Sequence, residues 1–286
     1  MLKRVLTLML SLVMLLVLCA CDSEQVKSAK EAYAEGEYAE VVKSLSEEEN
    51  LDQSAQDLLI VSEANIAFEN KDYLGAVQKL VTSSKGLNEE QYEEMFTAAL
   101  EDAVSNGSTE NILALLEIDA LKEDAVFEAI ITACKEKNYN GFLTLDGLVA
   151  GLEDGDLKTK LADFDKEYET LRAEAFMVGT WEWLPDGDEK AAKVSVIPYE
   201  DNLIGRLTDF GSFFSDYHYS IDDVYWKDFQ FDSKDSFLCY NLIRLNDSQG
   251  STIGETVSGK IDYENKTITL TVTGAVNPIR TWKRID

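Results

Sequence analysis

Hydrophobic and polar positions follow three different patterns along the 286-residue chain. Residues 5–18 form an uncharged, mainly apolar run. From residue 28 to residue 175, apolar residues recur at helical spacing without a proline, which predicts a series of amphipathic helices. From residue 176 to residue 286, short stretches rich in aromatic and β-branched residues alternate with turn residues, which predicts strands. We therefore predict an α+β chain with a helical domain followed by an antiparallel β domain.

A repeat organises the helical domain. Residues 29–45 align with residues 64–80 at a constant offset of 35. Fainter copies occupy residues 98–117 and 129–145, and residues 152–175 are predicted to form a final, more charged helix that caps the stack. The matched positions of the first two copies are Ala29/Ala64, Ala32/Ala67, Tyr33/Phe68, Tyr38/Tyr73, Val42/Val77 and Leu45/Leu80.

This register resembles the tetratricopeptide repeat. In that family, small residues let two antiparallel helices approach closely, and aromatic residues close the first helix and open the second. A Gly or Asn turns the chain between them, and Gly36 and Asn70 occupy those positions here. The later copies are unequally spaced, and Thr109 replaces the expected aromatic, so a generic array of helical hairpins stays an alternative.

Either array would offer a groove to a protein or peptide partner. The groove would be lined by the first helix of each hairpin. The alanine and aromatic positions of the repeat are needed for packing between helices, so the contacts must come from variable polar positions. Asn65 and Glu69 are examples of such positions.

Nine short strands are predicted in the β domain, without a helix-length segment among them. Such a succession is typical of an antiparallel barrel or a sandwich. The predicted strands are 178–184, 191–198, 203–208, 213–221, 224–231, 236–245, 252–263, 266–273 and 279–285.

The two ends of the β domain carry a paired motif. The domain begins with VGTWEW at residues 178–183 and ends with RTWKRID at residues 280–286. This pair resembles lipocalin-like, calycin-type barrels, in which a Gly-x-Trp on the first strand packs under an arginine from the last. The resemblance implies a small barrel in which Gly179, Trp181 and either Arg280 or Arg284 fill these roles.

Aromatic residues are concentrated in the β domain. On one alternate face of a barrel they would line the interior, where they would either bind a small apolar ligand or a sugar or fill the core. The aromatic set is Trp181, Trp183, Tyr217, Tyr219, Tyr225 and Trp226. The candidate ligand-binding residues are Trp181, Trp183, Tyr219 and Trp226.

The N-terminal apolar run is typical of a secretion signal. It follows Lys3 and Arg4, and it is shorter than the roughly 20 apolar residues that span a bilayer. It ends in LCAC, which resembles the lipobox of bacterial lipoproteins. The resemblance implies cleavage after Ala20 and acylation of Cys21. Residues 1–20 would then be the signal peptide.

Several acyl chains on Cys21 would anchor the protein stably, which a single chain does not achieve. Residues 21–27 would form the lipidated tether, on the extracytoplasmic face of the cell membrane. An ordinary cleaved signal, with secretion of a soluble protein, is the alternative. A Cys-x-Cys metal site lacks neighbouring histidines and would be discarded with the signal.

Charge narrows the range of partners. The formal net charge is −28, which repels phosphate backbones and anionic lipid headgroups. We therefore predict no nucleic-acid partner and membrane contact through the lipid alone. The mature chain would keep two cysteines besides the acylated Cys21, namely Cys134 and Cys239. We expect both to be buried free thiols, and an interdomain disulfide is the alternative.

No recognisable constellation for catalysis occurs. The only histidine, His218, lacks a nucleophile with an orienting third group. The acidic turn at residues 185–189 lacks the spaced oxygens of a calcium loop, and no Gly-rich phosphate loop is present. We predict a non-enzymatic protein without a cofactor or metal.

The leading hypothesis is a lipoprotein scaffold that binds proteins through its helical repeats, and the alternative is a lipoprotein that binds a small molecule or carbohydrate in its β domain.

Overall fold

The computed structural model of the chain describes residues 24–48, 50–83, 89–184, 191–211, 219–244, 252–272 and 279–286. Within these ranges the chain forms ten α-helices followed by eight β-strands, which confirms the predicted α+β class. It divides into two compact units, Met1–Ala129 and Ile130–Asp286. The predicted signal peptide, Ala20, Cys21 and His218 lie outside the described residues.

The helices occupy the chain up to Met177. In the described ranges, none is both long and apolar enough to cross a membrane. The first unit contains α1 (Glu24–Glu35), α2 (Tyr38–Ser46), α3 (Gln53–Glu69), α4 (Tyr73–Leu80), α5 (Glu89–Ser105), α6 (Thr109–Ile118) and the start of α7 (Glu123–Lys135). The second unit contains the rest of α7, α8 (Tyr139–Gly151), α9 (Asp156–Glu167) and α10 (Glu169–Met177).

Four helical hairpins turn in the same way. A residue with positive φ ends the first helix of each, at Gly36 (79°), Lys71 (63°), Gly107 (68°) and Lys137 (61°). The next N–H then donates to a carbonyl five residues earlier: Glu37 to Ala32 (2.9 Å), Asp72 to Ala67 (2.9 Å), Ser108 to Ala103 (2.8 Å) and Asn138 to Ala133 (3.0 Å). This bond and the left-handed residue define a Schellman turn. The four carbonyls that accept these bonds all belong to alanines, at equivalent positions of the four hairpins.

The first two hairpins also share an aromatic pair across the turn. Tyr33 and Tyr38 meet edge to face at 5.6 Å, and Phe68 and Tyr73 do so at 5.3 Å. The predicted register of 35 residues is therefore present in both sequence and geometry. One detail differs, because the left-handed residue of the second turn is Lys71, whereas Asn70 has φ −80° and caps α3.

The strands form a closed barrel, so the sandwich alternative is wrong. Each strand pairs antiparallel with its neighbours in the chain, and β1 pairs with β8. Eight strands are observed in the described ranges instead of nine: of the predicted strand 213–221, residues 219–221 belong to no strand and the rest lies outside those ranges. The strands are β1 (Gly179–Trp183), β2 (Lys193–Tyr199), β3 (Asn202–Asp209), β4 (Val224–Ser233), β5 (Ser236–Arg244), β6 (Thr252–Asp262), β7 (Thr267–Val272) and β8 (Ile279–Arg284).

Strand direction defines two ends of the barrel. Trp181 pairs with Arg284, and Trp183 pairs with Trp282. We call the end that contains Gly179 and Arg284 the helix end, because α10 leads directly into it. The opposite end, toward which β1 runs past Trp183, is called the distal end.

Helices of the second unit pack on the barrel. Residues 152–175, predicted as one capping helix, contain α9 and most of α10, and α10 contacts β4. Arg172 on α10 links three helices, with bonds of 2.6–2.7 Å to Asp146 on α8 and 2.6 Å to Asp165 on α9. The predicted change from helices to strands near residue 176 agrees with the element order, but the compact unit around the barrel begins within α7.

Arg284 closes the helix end. Its Nη1 donates to the Phe176 carbonyl (3.1 Å) and its Nε to Asp286 Oδ1 (2.9 Å). The guanidinium lies 5.1 Å from the Tyr139 ring centroid, a cation–π distance. Because Arg284 is the cross-strand partner of Trp181, it is the arginine beside that indole, and Arg280 lies toward the distal end.

Gly179 also belongs to the helix end. A Cβ on this residue would lie 2.6 Å from Asp286 Oδ1 and 3.1 Å from Arg284 Nε, so any side chain would clash there.

Cys134 and Cys239 are both buried free thiols, as expected from the sequence. The interdomain disulfide is thus excluded.

Candidate ligand site in the barrel

A β-bulge places two aromatic side chains in the barrel core. Gly205 pairs with Trp226 but Arg206 pairs with Val224, so Tyr225 is an extra residue on β4. An extra residue breaks the alternation of a strand, so two neighbouring side chains both pack inward. Tyr225 and Trp226 are 2% and 1% exposed. The bulge thus brings a phenol and an indole together inside the barrel.

These two rings belong to a larger aromatic cluster, which we define as Trp183, Tyr219, Tyr225, Trp226 and Trp282. Trp226 and Trp282 meet edge to face at 4.7 Å between centroids. Tyr225 lies 6.2 Å from Trp282 and 6.1 Å from Tyr219, and Trp183 lies 6.5 Å from Trp282. Three of the four candidate residues named from the sequence are therefore brought together.

Trp181, the fourth candidate, lies apart from this cluster. It is fully buried at the helix end, where its ring meets Phe176 at 5.4 Å. Its Nε1 donates to the Met177 carbonyl at 2.8 Å, so its one polar atom is satisfied within the core. This arrangement makes Trp181 part of the structural closure of the barrel.

Polar side chains lie next to the aromatic cluster. Asn241 on β5 is the cross-strand partner of Trp226, and Glu255 on β6 is the partner of Asn241. Asn241 is 2% exposed, and its Nδ2 donates to Glu255 Oε1 at 3.0 Å. Arg280 Nη1 donates to the Tyr225 hydroxyl at 3.1 Å. The aromatic cluster therefore borders a polar region with a cation and an anion, Arg280 and Glu255, which are both half-buried.

Three buried polar atoms of this region have no hydrogen-bond partner in the described structure. They are Nε1 of Trp226, Nε1 of Trp282 and Oδ1 of Asn241. A buried donor or acceptor without a partner costs about 1–3 kcal/mol. The three atoms belong to neighbouring residues, because Trp226 touches Trp282 and pairs with Asn241. We call them the unpaired triad.

Burial keeps the phenol of this region neutral. It raises the pKa of Tyr225 well above its ordinary value, and the positive charge of Arg280 offsets only part of that rise. Arg280 and Glu255 carry opposite charges. The two ionic side chains that bond to this region therefore cancel in formal charge.

The other predicted sites are divided between structural and exposed positions. Asn65 Nδ2 donates to the Val61 carbonyl at 2.8 Å, and its Oδ1 accepts from Gln91 at 3.1 Å, so it links α3 to α5. Glu69 is exposed at the end of α3. In the described ranges, no group of three or more His, Cys, Asp or Glu side chains could hold a metal ion.

Sequence reasoning missed Trp282, Asn241 and the role of Tyr225. A usable signal existed for the bulge, because two adjacent aromatics interrupt the alternation of β4. Trp282 could be associated with Trp183 only once the closure of β8 against β1 was known.

Comparison with known proteins assigns no family to the chain. Neither a scan against protein-family models nor a search of curated proteins gives a match. Function is therefore inferred from the geometry of the barrel and from the motifs of the sequence.

Proposed function

We propose that the protein is a non-enzymatic, lipid-anchored binding protein whose barrel takes up a small molecule beside the aromatic cluster. The unpaired triad is the observation that carries this proposal. Binding sites for small molecules combine apolar and aromatic walls with a few convergent polar groups. The aromatic cluster, Asn241 and Arg280 have that composition.

The competing explanation is that these rings simply fill the core. Trp181 offers an internal comparison, because it is equally buried and its indole N–H is paired. A core indole of this barrel can therefore find a partner when its role is only to pack. Trp226 and Trp282 have none in the described residues, which favours a partner supplied from outside the chain.

Mass spectrometry of protein purified gently from its own cells tests this proposal. The native mass should exceed the denatured mass by that of a small molecule. Asn241→Leu keeps the branched side-chain skeleton but removes both the carbonyl and the NH2 of the amide, and it should abolish the excess. Asn106→Leu makes the same change at an exposed position directly after α5 and should keep the excess. A wild-type protein without excess mass, or an unchanged excess in Asn241→Leu, would refute the proposal.

The location is part of the same proposal. Residues 1–20 would be removed as a signal peptide with cleavage after Ala20, and Cys21 would carry the acyl chains. The basic start, the short apolar run and the LCAC sequence support it. The barrel would then face the extracytoplasmic side of the cell membrane, where an anchored protein meets solutes and other envelope proteins.

A second function is favoured by the helical hairpins. Four turns repeat one geometry, and the first two hairpins also share the aromatic register that resembles tetratricopeptide repeats. Such arrays bind protein or peptide partners along the first helix of each hairpin. Crosslinking in cells followed by mass spectrometry should recover a partner, and Glu69→Lys should reduce its recovery more than Glu47→Lys. Equal recovery from both variants would contradict a groove at Glu69.

A further inference from the structure

We infer that the barrel ligand is an uncharged molecule with neighbouring hydroxyl groups, with the chemistry of a sugar. This inference rests on the proposed function of the barrel, since it specifies what the same site would bind. It is derived from the hydrogen-bonding capacity, the charge and the ring surfaces of the site.

The hydrogen-bonding capacity of the site is mixed. Trp226 and Trp282 each offer an unpaired donor, whereas Asn241 offers an unpaired acceptor. An indole N–H can only donate, and an amide oxygen can only accept. A hydroxyl group does both. Adjacent hydroxyls can therefore accept from the two indoles and donate to the amide, whereas an apolar ligand would leave all three atoms unpaired.

The charge balance of the site disfavours an ion. All three atoms of the unpaired triad belong to neutral groups. The nearby ionic side chains already make hydrogen bonds, Arg280 to the Tyr225 hydroxyl and Glu255 to the Asn241 amide. A charged ligand that is buried needs a compensating charge, because the loss of its hydration is costly. A ligand without net charge needs none.

The rings of the aromatic cluster suit the apolar face of a sugar. Trp183 and Tyr219 are only half-buried, although both belong to the cluster. The faces of aromatic rings carry partial negative charge, which attracts the partially positive C–H groups of a pyranose ring. A monosaccharide therefore matches the site with both its polar edge and its apolar face.

Titration of the ligand-free mature protein tests the class of ligand. Glucose and N-acetylglucosamine serve as uncharged hydroxylated probes, acetate as an anion, glycine as a zwitterion and cyclohexane-1-methanol as an apolar alcohol. Tryptophan emission and isothermal titration calorimetry report binding. At least one sugar should bind, whereas acetate, glycine and the apolar alcohol should bind at least tenfold more weakly.

Matched variants connect binding to the unpaired triad. Trp226→Phe keeps an aromatic ring but removes the donor, and it should weaken sugar binding about tenfold. Trp181→Phe makes the same change at the helix end and should leave the affinity unchanged. If Trp226→Phe does not fold, Asn241→Leu provides the second test of the same triad.

The outcomes separate this inference from the function on which it rests. A molecule released from the cell-purified protein that is charged, or that lacks hydroxyl groups, overturns the ligand class while the proposed function stands. Tighter binding of acetate or glycine than of either sugar has the same meaning. Absence of a native mass excess together with absence of binding overturns both.

Discussion

Two tryptophans of the barrel differ in one hydrogen bond, and this difference predicts that the same substitution destabilises one site more than the other. Trp181 and Trp226 are both buried to within 1% of their surface. Replacing either with Phe removes the indole N–H and about the same apolar volume. At Trp181 the change also breaks the bond to the Met177 carbonyl, whereas at Trp226 it removes a donor without a partner.

The magnitude follows from these two contributions. Breaking the bond at Trp181 leaves a buried carbonyl unpaired, which costs about 1–3 kcal/mol. Removing the unpaired donor at Trp226 recovers a similar amount, about 1–3 kcal/mol, because its desolvation no longer opposes folding. The cost of lost packing is common to both variants. In ligand-free protein, Trp181→Phe should therefore be less stable than Trp226→Phe by about 2–6 kcal/mol.

Urea unfolding followed by tryptophan fluorescence measures this difference. All four tryptophans of the chain lie in the barrel strands, so the signal reports the barrel alone. Each variant keeps three of them. Trp282→Phe is a second test of the unpaired triad and should resemble Trp226→Phe. Equal free energies of unfolding for Trp181→Phe and Trp226→Phe would show that Trp226 has a partner in solution, and would refute the reasoning.

Four further predictions follow from residues outside the ligand site. Cys21→Ala should release the protein from membranes into the soluble fraction; retention after detergent-free washing would contradict lipid anchoring. Arg284→Met should lower the free energy of barrel unfolding by about 3 kcal/mol in urea titrations, because two charged hydrogen bonds are lost; a change below about 0.5 kcal/mol would contradict its role. Burial raises the pKa of Cys134 and Cys239 to about 12. The free energy of unfolding should therefore fall as pH rises above 9, because the thiols ionise in the unfolded chain but not in the folded one. Ellman's reagent should label neither thiol at pH 8 before urea is added. Lys71→Gly should raise the stability of the helical region by up to about 1 kcal/mol, because a positive φ strains a residue with a Cβ. Unfolding followed by circular dichroism measures this change, and a loss of stability would argue against that strain.

Local patterns were enough to predict the order and type of most elements. The helical repeat could be predicted because alanine and aromatic positions recur at one offset, and the positions of the turns follow from that register. The exact turn residue was not readable, since Lys71 adopts a conformation that glycine favours. Its strain is tolerated because the Schellman bond from Asp72 to Ala67 fixes the turn.

The candidate site was less predictable because it depends on long-range pairing. Strand alternation predicts which residues face inward, but the bulge at Tyr225 changes that alternation from one residue to the next. Similarly, Trp226 and Asn241 become neighbours only through the register of β4 with β5. Of the predicted strand 213–221, the described residues 219–221 form no strand, and the Tyr219 hydroxyl donates to the Leu242 carbonyl.

The closure of β1 against β8 also affects the speed of folding. The contacts that hold each helical hairpin join residues close in sequence. In contrast, Trp181 on the first strand of the β domain must pair with Arg284 on the last strand. Folding rates fall as the sequence separation of contacting residues grows, because a long loop must be closed first. The hairpins should therefore form early, while the barrel stays open with unpaired strand edges. The proposed secretion would add a period outside the cytoplasm in which those edges are exposed, so aggregation would compete with closure of the barrel.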